Sequence, residues 1–337
     1  MFVKNMDSLT QIVLGAAVGE AVLGKKIGNK AMLYGAIAGT IPDLDVLASN
    51  FTDTVTALEM HRGFTHSILF SIIFAPIFGW LVSKYQSYKD FKGWTLLFFW
   101  GFLTHPLLDA FTTWGTQLFW PLDYRVAFKS IFVIDPLYTL PFIVFLLLTM
   151  CKKRSSKKRS FYNKMGLILS TSYLMLTLIL KWVTYTKFEN ALKEQHIAYS
   201  EIDTRPSPMN TVLWNANVNT KDSFLLGTYS LFDSQPITFE SRPKNHELIE
   251  AIKENDKMQR MIHISKGWYS ISVRENELFF NDLRFGLMSL DSEAEDFVFQ
   301  YKIQINNNGL LQFSETKKGR DDAQKLMKEL WTRIKGN

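Results

Sequence analysis

Ile131-Phe132-Val133-Ile134-Asp135-Pro136-Leu137-Tyr138-Thr139-Leu140-Pro141-Phe142-Ile143-Val144-Phe145-Leu146-Leu147-Leu148-Thr149-Met150 carries a single charged side chain, Asp135, in an otherwise largely apolar run. A helix needs about 20 such residues to cross roughly 30 Å of hydrocarbon. Lys152, Lys153, Arg154, Lys157, Lys158 and Arg159 follow at once, and a basic block beside an apolar run marks a cytoplasmic loop. Working outward, stretches of the same character lie at Leu9–Leu23, Ala31–Ala48, Ser67–Val82, Trp94–Phe111 and Met165–Tyr185. The first two are rich in Gly and Ala (Gly15, Gly19, Gly35, Gly39), which in a membrane signals helices packed closely through small residues. Lys25, Lys26 and Lys30 come after the first apolar core rather than before it, so that stretch is expected to be a retained helix and not a cleaved leader.

Counting cations loop by loop orients the chain. Basic residues follow the first stretch, the third (Lys84, Lys89, Lys92) and the fifth, which predicts cytoplasmic loops there. The segments Ser49–His66 and Thr112–Ser130, and everything after the sixth stretch, should face outward. The 337 residues carry 38 Lys and Arg against 32 Asp and Glu, a formal charge of +6. Because many of these cations sit in loops between apolar runs, the excess is a topology signal and no nucleic-acid partner is expected. Cys151 is the lone cysteine, so an intrachain disulfide and a thiolate metal cluster are both excluded. Any metal must be held by nitrogen and oxygen.

Placed on this map, the ionisable residues gather at one set of helix ends. Asp7 opens the first stretch, Asp43 and Asp45 close the second, and His61 and His66 lead into the third. His105 and Asp109 close the fourth, and Asp135 opens the fifth. Charged groups near hydrocarbon are costly and mark functional or paired sites. His105 and Asp109 stand one helical turn apart and share a face, with Pro106 distorting that turn. Asp43 and Asp45 would point the same way in an extended segment after Pro42. His61 and His66 would diverge on a regular helix, which predicts a break at Gly63 and a helix beginning at His66 with Thr65 as its cap. Asp7 and Asp135 have an equally good reading as helix caps.

The expected metal ligands are Asp43, Asp45, His61, His66, His105 and Asp109. Such a donor set suits a divalent metal, zinc first, with manganese or magnesium open. Asp45 and Arg62 take the expected catalytic roles, a carboxylate as general base and a guanidinium to receive an anionic group such as phosphate.

Four segments together, Met6-Asp7-Ser8-Leu9-Thr10-Gln11, Ile41-Pro42-Asp43-Leu44-Asp45, His61-Arg62-Gly63-Phe64-Thr65-His66-Ser67 and His105-Pro106-Leu107-Leu108-Asp109, resemble those of the YdjM-like membrane-bound proteins, described as metal-dependent hydrolases. The resemblance covers roughly the first 150 residues. It implies a bacterial inner (plasma) membrane location and the same His and Asp positions as ligands. It implies nothing for the C-terminal part.

From about Phe188 the chain turns polar and reads as strands. In Phe297–Ile305 every odd-numbered position is apolar, as one buried sheet face requires. Thr211–Val218, Phe224–Phe232, Trp268–Val273 and Glu277–Phe285 are further candidates. An amphipathic helix closes the sequence, with Ala323, Leu326, Met327, Leu330, Trp331 and Ile334 at helical spacing. The expected fold is thus an α-helical polytopic membrane bundle of about six transmembrane helices over 1–187, followed by an α+β, strand-rich extracytoplasmic domain over 188–337. The expected function is a membrane-bound metal-dependent hydrolase of a phosphoester, in a lipid or envelope intermediate, at the outer face, with the lipid bilayer as its partner. The rival is a cation transporter or a metal-binding protein without catalysis; a transport path should also place ionisable groups near the bilayer midplane and toward the inner side, and apart from Glu20 the spans offer almost none.

Overall fold

Apolar sequence that must satisfy its own backbone in lipid has to coil, and the first half of the chain does so. The computed structural model describes residues 2–289, 296–306, 310–316 and 319–337, without side chains at 2–8 and 320–323. In order, the chain forms α1 (Phe2–Ile27), α2 (Asn29–Thr40), a 3₁₀ segment at Ile41–Asn50, α3 (Thr54–Met60) and a 3₁₀ turn at Phe64–His66. There follow α4 (Ile68–Tyr85), α5 (Phe91–Asp109), α6 (Pro136–Met150) and α7 (Lys157–Glu194). The second half holds β1 (Glu201–Pro206), β2 (Leu213–Asn219), β3 (Ser223–Ser230) and β4 (Phe239–Pro243). After a 3₁₀ segment at His246–Ile252 come α8 (Asp256–Ile264), β5 (Tyr269–Arg274), β6 (Glu277–Leu287), β7 (Phe297–Ile305), β8 (Leu311–Glu315) and α9 (Arg320–Arg333).

The chain divides into two compact units. One holds the residues up to Leu47 with Met60–Ile179 and Pro208–Asn210; the other holds Ala48–Glu59, Leu180–Ser207 and Thr211–Asn337. The short segment Ala48–Glu59, read from sequence as an outward loop, is therefore part of the strand-rich unit.

In the helical unit, three described helical stretches are long and apolar enough to cross a membrane: Asn29–Asn50, Ile68–Tyr85 and Lys157–Glu194; α6 is apolar but shorter. Apolar side chains point outward along α4 (Ile72, Ile77, Trp80), α6 (Leu140, Val144, Leu147) and α7 (Ile168, Leu176, Ile179). Runs of that kind on several helices mark a surface made for lipid. The interior is built by Val13, Ala17, Tyr138 and Phe142 in one cluster, and by Leu23, Phe70, Trp94, Phe98 and Phe102 in another. α1 and α2 meet backbone to backbone. A Cβ at Gly15 or Gly35 would collide with the other's carbonyl, and one at Gly39 with the carbonyl of Gln11. Glycine is required there by the closeness of the helices, the small-residue mode of packing in lipid. At the other end of α1, Glu20 forms a buried bidentate pair with Arg159, Nε to Oε1 at 2.7 Å and Nη2 to Oε2 at 2.6 Å.

The second unit contains two antiparallel four-stranded sheets, ordered β1-β2-β3-β4 and β5-β6-β7-β8. Ala216 pairs with Gly227 in the first and Phe280 with Tyr301 in the second. Val55 of α3 is fully buried in a core shared with Ile249, Met258, Met261 and Phe280. Leu326 and Leu330 of α9 pack with Leu213; Ala323 belongs to the expected stripe, but its side chain lies outside the described residues. The alternation read in Phe297–Ile305 holds for Phe297, Tyr301 and Ile303, whereas Ile305 is exposed. On the opposite face Gln300 is buried too, donating to Asn281 Oδ1 at 2.7 Å.

Candidate metal centre

Pro42 has no N–H to give to a helix ladder and crowds the preceding turn; α2 stops at Thr40 and the backbone continues as a 3₁₀ segment. Asp43 and Asp45 are consequently not extended, and they diverge. Asp43 Oδ1 lies 3.3 Å from His105 Nε2 and 3.5 Å from His66 Nε2. Asp45 turns to the other side of His66, with Oδ2 3.6 Å from Nδ1, and accepts the backbone N–H of Arg62 at 2.6 Å. The expected helix start at His66 is also corrected. His66 ends a 3₁₀ turn, α4 begins at Ile68, and the cap is Ser67, whose Oγ accepts from Phe70 N at 3.0 Å. Thr65 instead lies 3.0 Å from His66 Nδ1 through its hydroxyl.

The α5 pair shares a face as its spacing predicts. His105 Nε2 is 3.4 Å from Asp109 Oδ2 and 3.0 Å from His66 Nε2, and His66 Nε2 is 3.4 Å from Asp109 Oδ2. One ligand atom each from Asp43, His66, His105 and Asp109 therefore lies within 4.8 Å of every other, a grouping found among the described residues. His66, His105 and Asp109 are buried, and Asp43 alone of the four is partly open.

The spacing is informative. An ion held tetrahedrally at about 2.0–2.1 Å sets its ligand atoms roughly 3.3–3.4 Å apart, close to the separations above. The imidazoles are oriented for it. His105 Nδ1 is 2.6 Å from the Gly39 carbonyl, which can only accept, so Nδ1 carries a proton and Nε2 is the nitrogen left to face an ion. Asp109 Oδ1 accepts from Gln11 Nε2 at 2.8 Å, while its Oδ2 is buried and accepts no well-formed hydrogen bond. That leaves Oδ2 aimed at the other three ligand atoms. Donor chemistry, spacing and the direction of this oxygen all fit a divalent cation.

Arg62 and His61 stand beside the four. Arg62 is buried, its Nε 3.1 Å from Asp109 Oδ2 and its Nη1 donating to Thr112 Oγ1 at 2.8 Å. His61 points its Nδ1 to Asp45 Oδ1 at 3.4 Å and lies against the Trp114 ring. Removal from water, with Arg62 and His66 adding to it, holds the His61 imidazole below its usual range against the pull of Asp45. Of the six ligands expected, the structure thus brings four to one point and sets Asp45 and His61 around His66. Asp135 is apart: it caps α6, accepting from Leu137 N at 2.8 Å, and accepts the Tyr173 hydroxyl at 2.9 Å. The side chain of Asp7 lies outside the described residues.

Sequence reasoning did not single out Gln11 or Thr112, and it read Thr65 as a helix cap and Gly39 as a packing residue, not as parts of the site. Gln11 and Thr65 lie inside the quoted motifs, so their place there was a usable signal. Gly39 acts through its backbone, which residue type does not announce.

A helical unit with lipid-compatible faces and a His/Asp cluster at its helix ends defines a membrane protein with a possible metal-binding group. The chain belongs to the YdjM inner membrane protein family, which it matches over residues 6–188. It is 31% identical over 142 residues to the uncharacterized protein YfhP of Bacillus subtilis, covering 39% of this chain and 42% of that one. It is 28% identical over 112 residues to the inner membrane protein YbcI of Escherichia coli, covering 33% of this chain and 64% of that one. The chain thus spans less than two thirds of the length of either relative. No solved structure matches it.

Proposed function

We propose that the protein is a metal-dependent hydrolase of the bacterial plasma membrane that acts on a phosphoester at the outer face. The observation that carries this reading is the convergence of Asp43, His66, His105 and Asp109, from separate segments, with one ligand atom of each within 4.8 Å of the others, a grouping that fits a single ion. Zinc suits this donor set best, with manganese or magnesium as alternatives. A divalent ion there would polarise a phosphoryl oxygen and lower the pKa of a water molecule. The charge inventory supports a cation: three carboxylates (Asp43, Asp45, Asp109) gather around the imidazoles, and Asp109 is the one paired with the Arg62 guanidinium. Arg62 fixes Asp109 and contributes positive charge beside the position an anionic ester would take. Asp45 orients His66 and, with His61, forms the carboxylate–imidazole pair best placed to accept a proton from attacking water. Asp43, the most open of the four, marks the side from which substrate and water would arrive.

In the same reading all six helical stretches cross the membrane and the strand-rich unit lies outside the cell, as the distribution of loop cations supports. Against transport, Glu20 is closed off by its pair with Arg159 and so is not available to a moving ion.

The test is elemental analysis of protein purified in detergent, comparing the unaltered chain with His66→Ala and His105→Ala. Stoichiometric metal lost in both variants is expected; equal trace metal in all three refutes the site. Turnover of a generic phosphodiester by the metal-loaded form separates hydrolase from transporter. For orientation, an impermeant maleimide added to intact cells should leave Cys151, which is exposed, unmodified, and should label Ser234→Cys in a Cys151→Ser background.

A further inference from the structure

The segment between the ligands belongs to the other half of the protein. The backbone leaves the site at Asp45, enters the strand-rich unit at Ala48, leaves it at Glu59 and returns to the site at His61. Within that unit the segment is held firmly. Val55 is fully buried among Ile249, Met258 and Met261. Arg260 of α8 grips α3 with three hydrogen bonds, Nε to Glu59 Oε1 at 2.8 Å, Nη2 to Glu59 Oε2 at 2.6 Å and Nη2 to Thr56 Oγ1 at 3.0 Å. Asp53 caps the start of α3, accepting from Val55 N at 3.2 Å and the Thr56 hydroxyl at 2.8 Å, and lies 3.6 Å from Lys257.

The geometry points to Glu59 and Arg260 as positioning residues for the metal centre, acting through the docked segment Ala48–Glu59 on the carboxylates before it and the histidines after it. This rests on the reading of the four residues as metal ligands. Asp43 and His66 sit on opposite sides of the docked segment, and a segment free in solution would have to be closed up when the ion binds. Closing a loop costs entropy, and a loop already tied down spares the site that cost, which is how preorganisation raises affinity. Linkage then works both ways: docking strengthens metal binding, and metal binding strengthens docking by the same factor. The strand-rich unit, most of which lies beyond the family match at residues 6–188, would thereby adjust a site it supplies no ligand to.

The experiment uses the full chain in detergent with zinc as the probe. Zinc should slow amide hydrogen exchange in residues 54–59, between the ligands, and in residues 256–264, far from any ligand in sequence. Glu59→Ala and Arg260→Ala should each weaken zinc binding by up to about fivefold, the range set by a half-exposed ion pair, and the exchanged pair Glu59→Arg with Arg260→Glu should recover most of it. Stoichiometric zinc in the unaltered chain, with no change of exchange in either segment, would overturn the coupling and leave the metal site standing. Absence of zinc from the unaltered chain would overturn both. Should a single variant unfold its unit, the exchange measurement on the unaltered chain still decides.

Discussion

Gln11→Ala offers the sharpest probe of the centre, because it touches no ligand atom of the proposed ion. Gln11 is buried and its amide donates to Asp109 Oδ1 at 2.8 Å, with a longer contact to the His105 carbonyl at 3.3 Å. A hydrogen bond to a charged acceptor contributes about 1.5–3 kcal/mol. If it is expressed in metal binding, at 1.4 kcal/mol per factor of ten, Kd should rise roughly 10- to 150-fold, a range that agrees with the 10- to 100-fold cost typical of losing a partner that orients a ligand. Competition with a chromophoric zinc chelator, on protein purified in detergent, reads this directly. Gln11→Glu should weaken binding as well, since the donor is lost and the carboxylate of Asp109 gains a like-charged neighbour. Unchanged Kd in Gln11→Ala would mean that Asp109 needs no orientation, and the case for a preset tetrahedral site would fail.

Two further outcomes follow from the packing. Arg159→Met leaves the Glu20 carboxylate buried without its partner, and breaking a buried pair costs about 3–5 kcal/mol; the double variant Glu20→Gln with Arg159→Met should regain much of that in denaturant unfolding, and equal losses in both would contradict the pairing. Gly35→Val forces a side chain against the Gly15 carbonyl and should destabilise the α1–α2 contact by at least the 1–3 kcal/mol of an overpacked core, read as a lower thermal midpoint, while Ser83→Ala on the exposed side of α4 should leave it unchanged.

Much of the helical half was legible because lipid imposes one demand on every residue of a span. Ile131–Met150 announced itself by composition, though its helix begins only at Pro136, where Asp135 can cap it. The site was legible as a set of residue types at helix ends, and His105 with Asp109 as a pair, because helical spacing is rigid. The arrangement around Pro42 was not: whether two aspartates separated by one residue converge or diverge depends on a backbone state, here 3₁₀, that propensity leaves open. In the second half, β7 was readable from alternating apolar residues, but β1 was not. Its inward positions include Asp203 and Arg205, buried beside a polar interior that also holds Asn217, Asp282 and Arg284, so hydrophobic periodicity carries no trace of it. α3 escaped for another reason. Seven residues make too short a helix to declare itself, and its stability comes from the burial of Val55 and the grip of Arg260, a partner some 200 positions away.

Gly39 answers to two neighbours at once. Its missing side chain lets α1 approach, and its carbonyl oxygen fixes the proton on His105. Any change that loosened the seam between the first two helices would also shift the reference point from which an imidazole is aimed, so in this protein the tightness of a helix contact and the orientation of a buried histidine cannot be tuned independently.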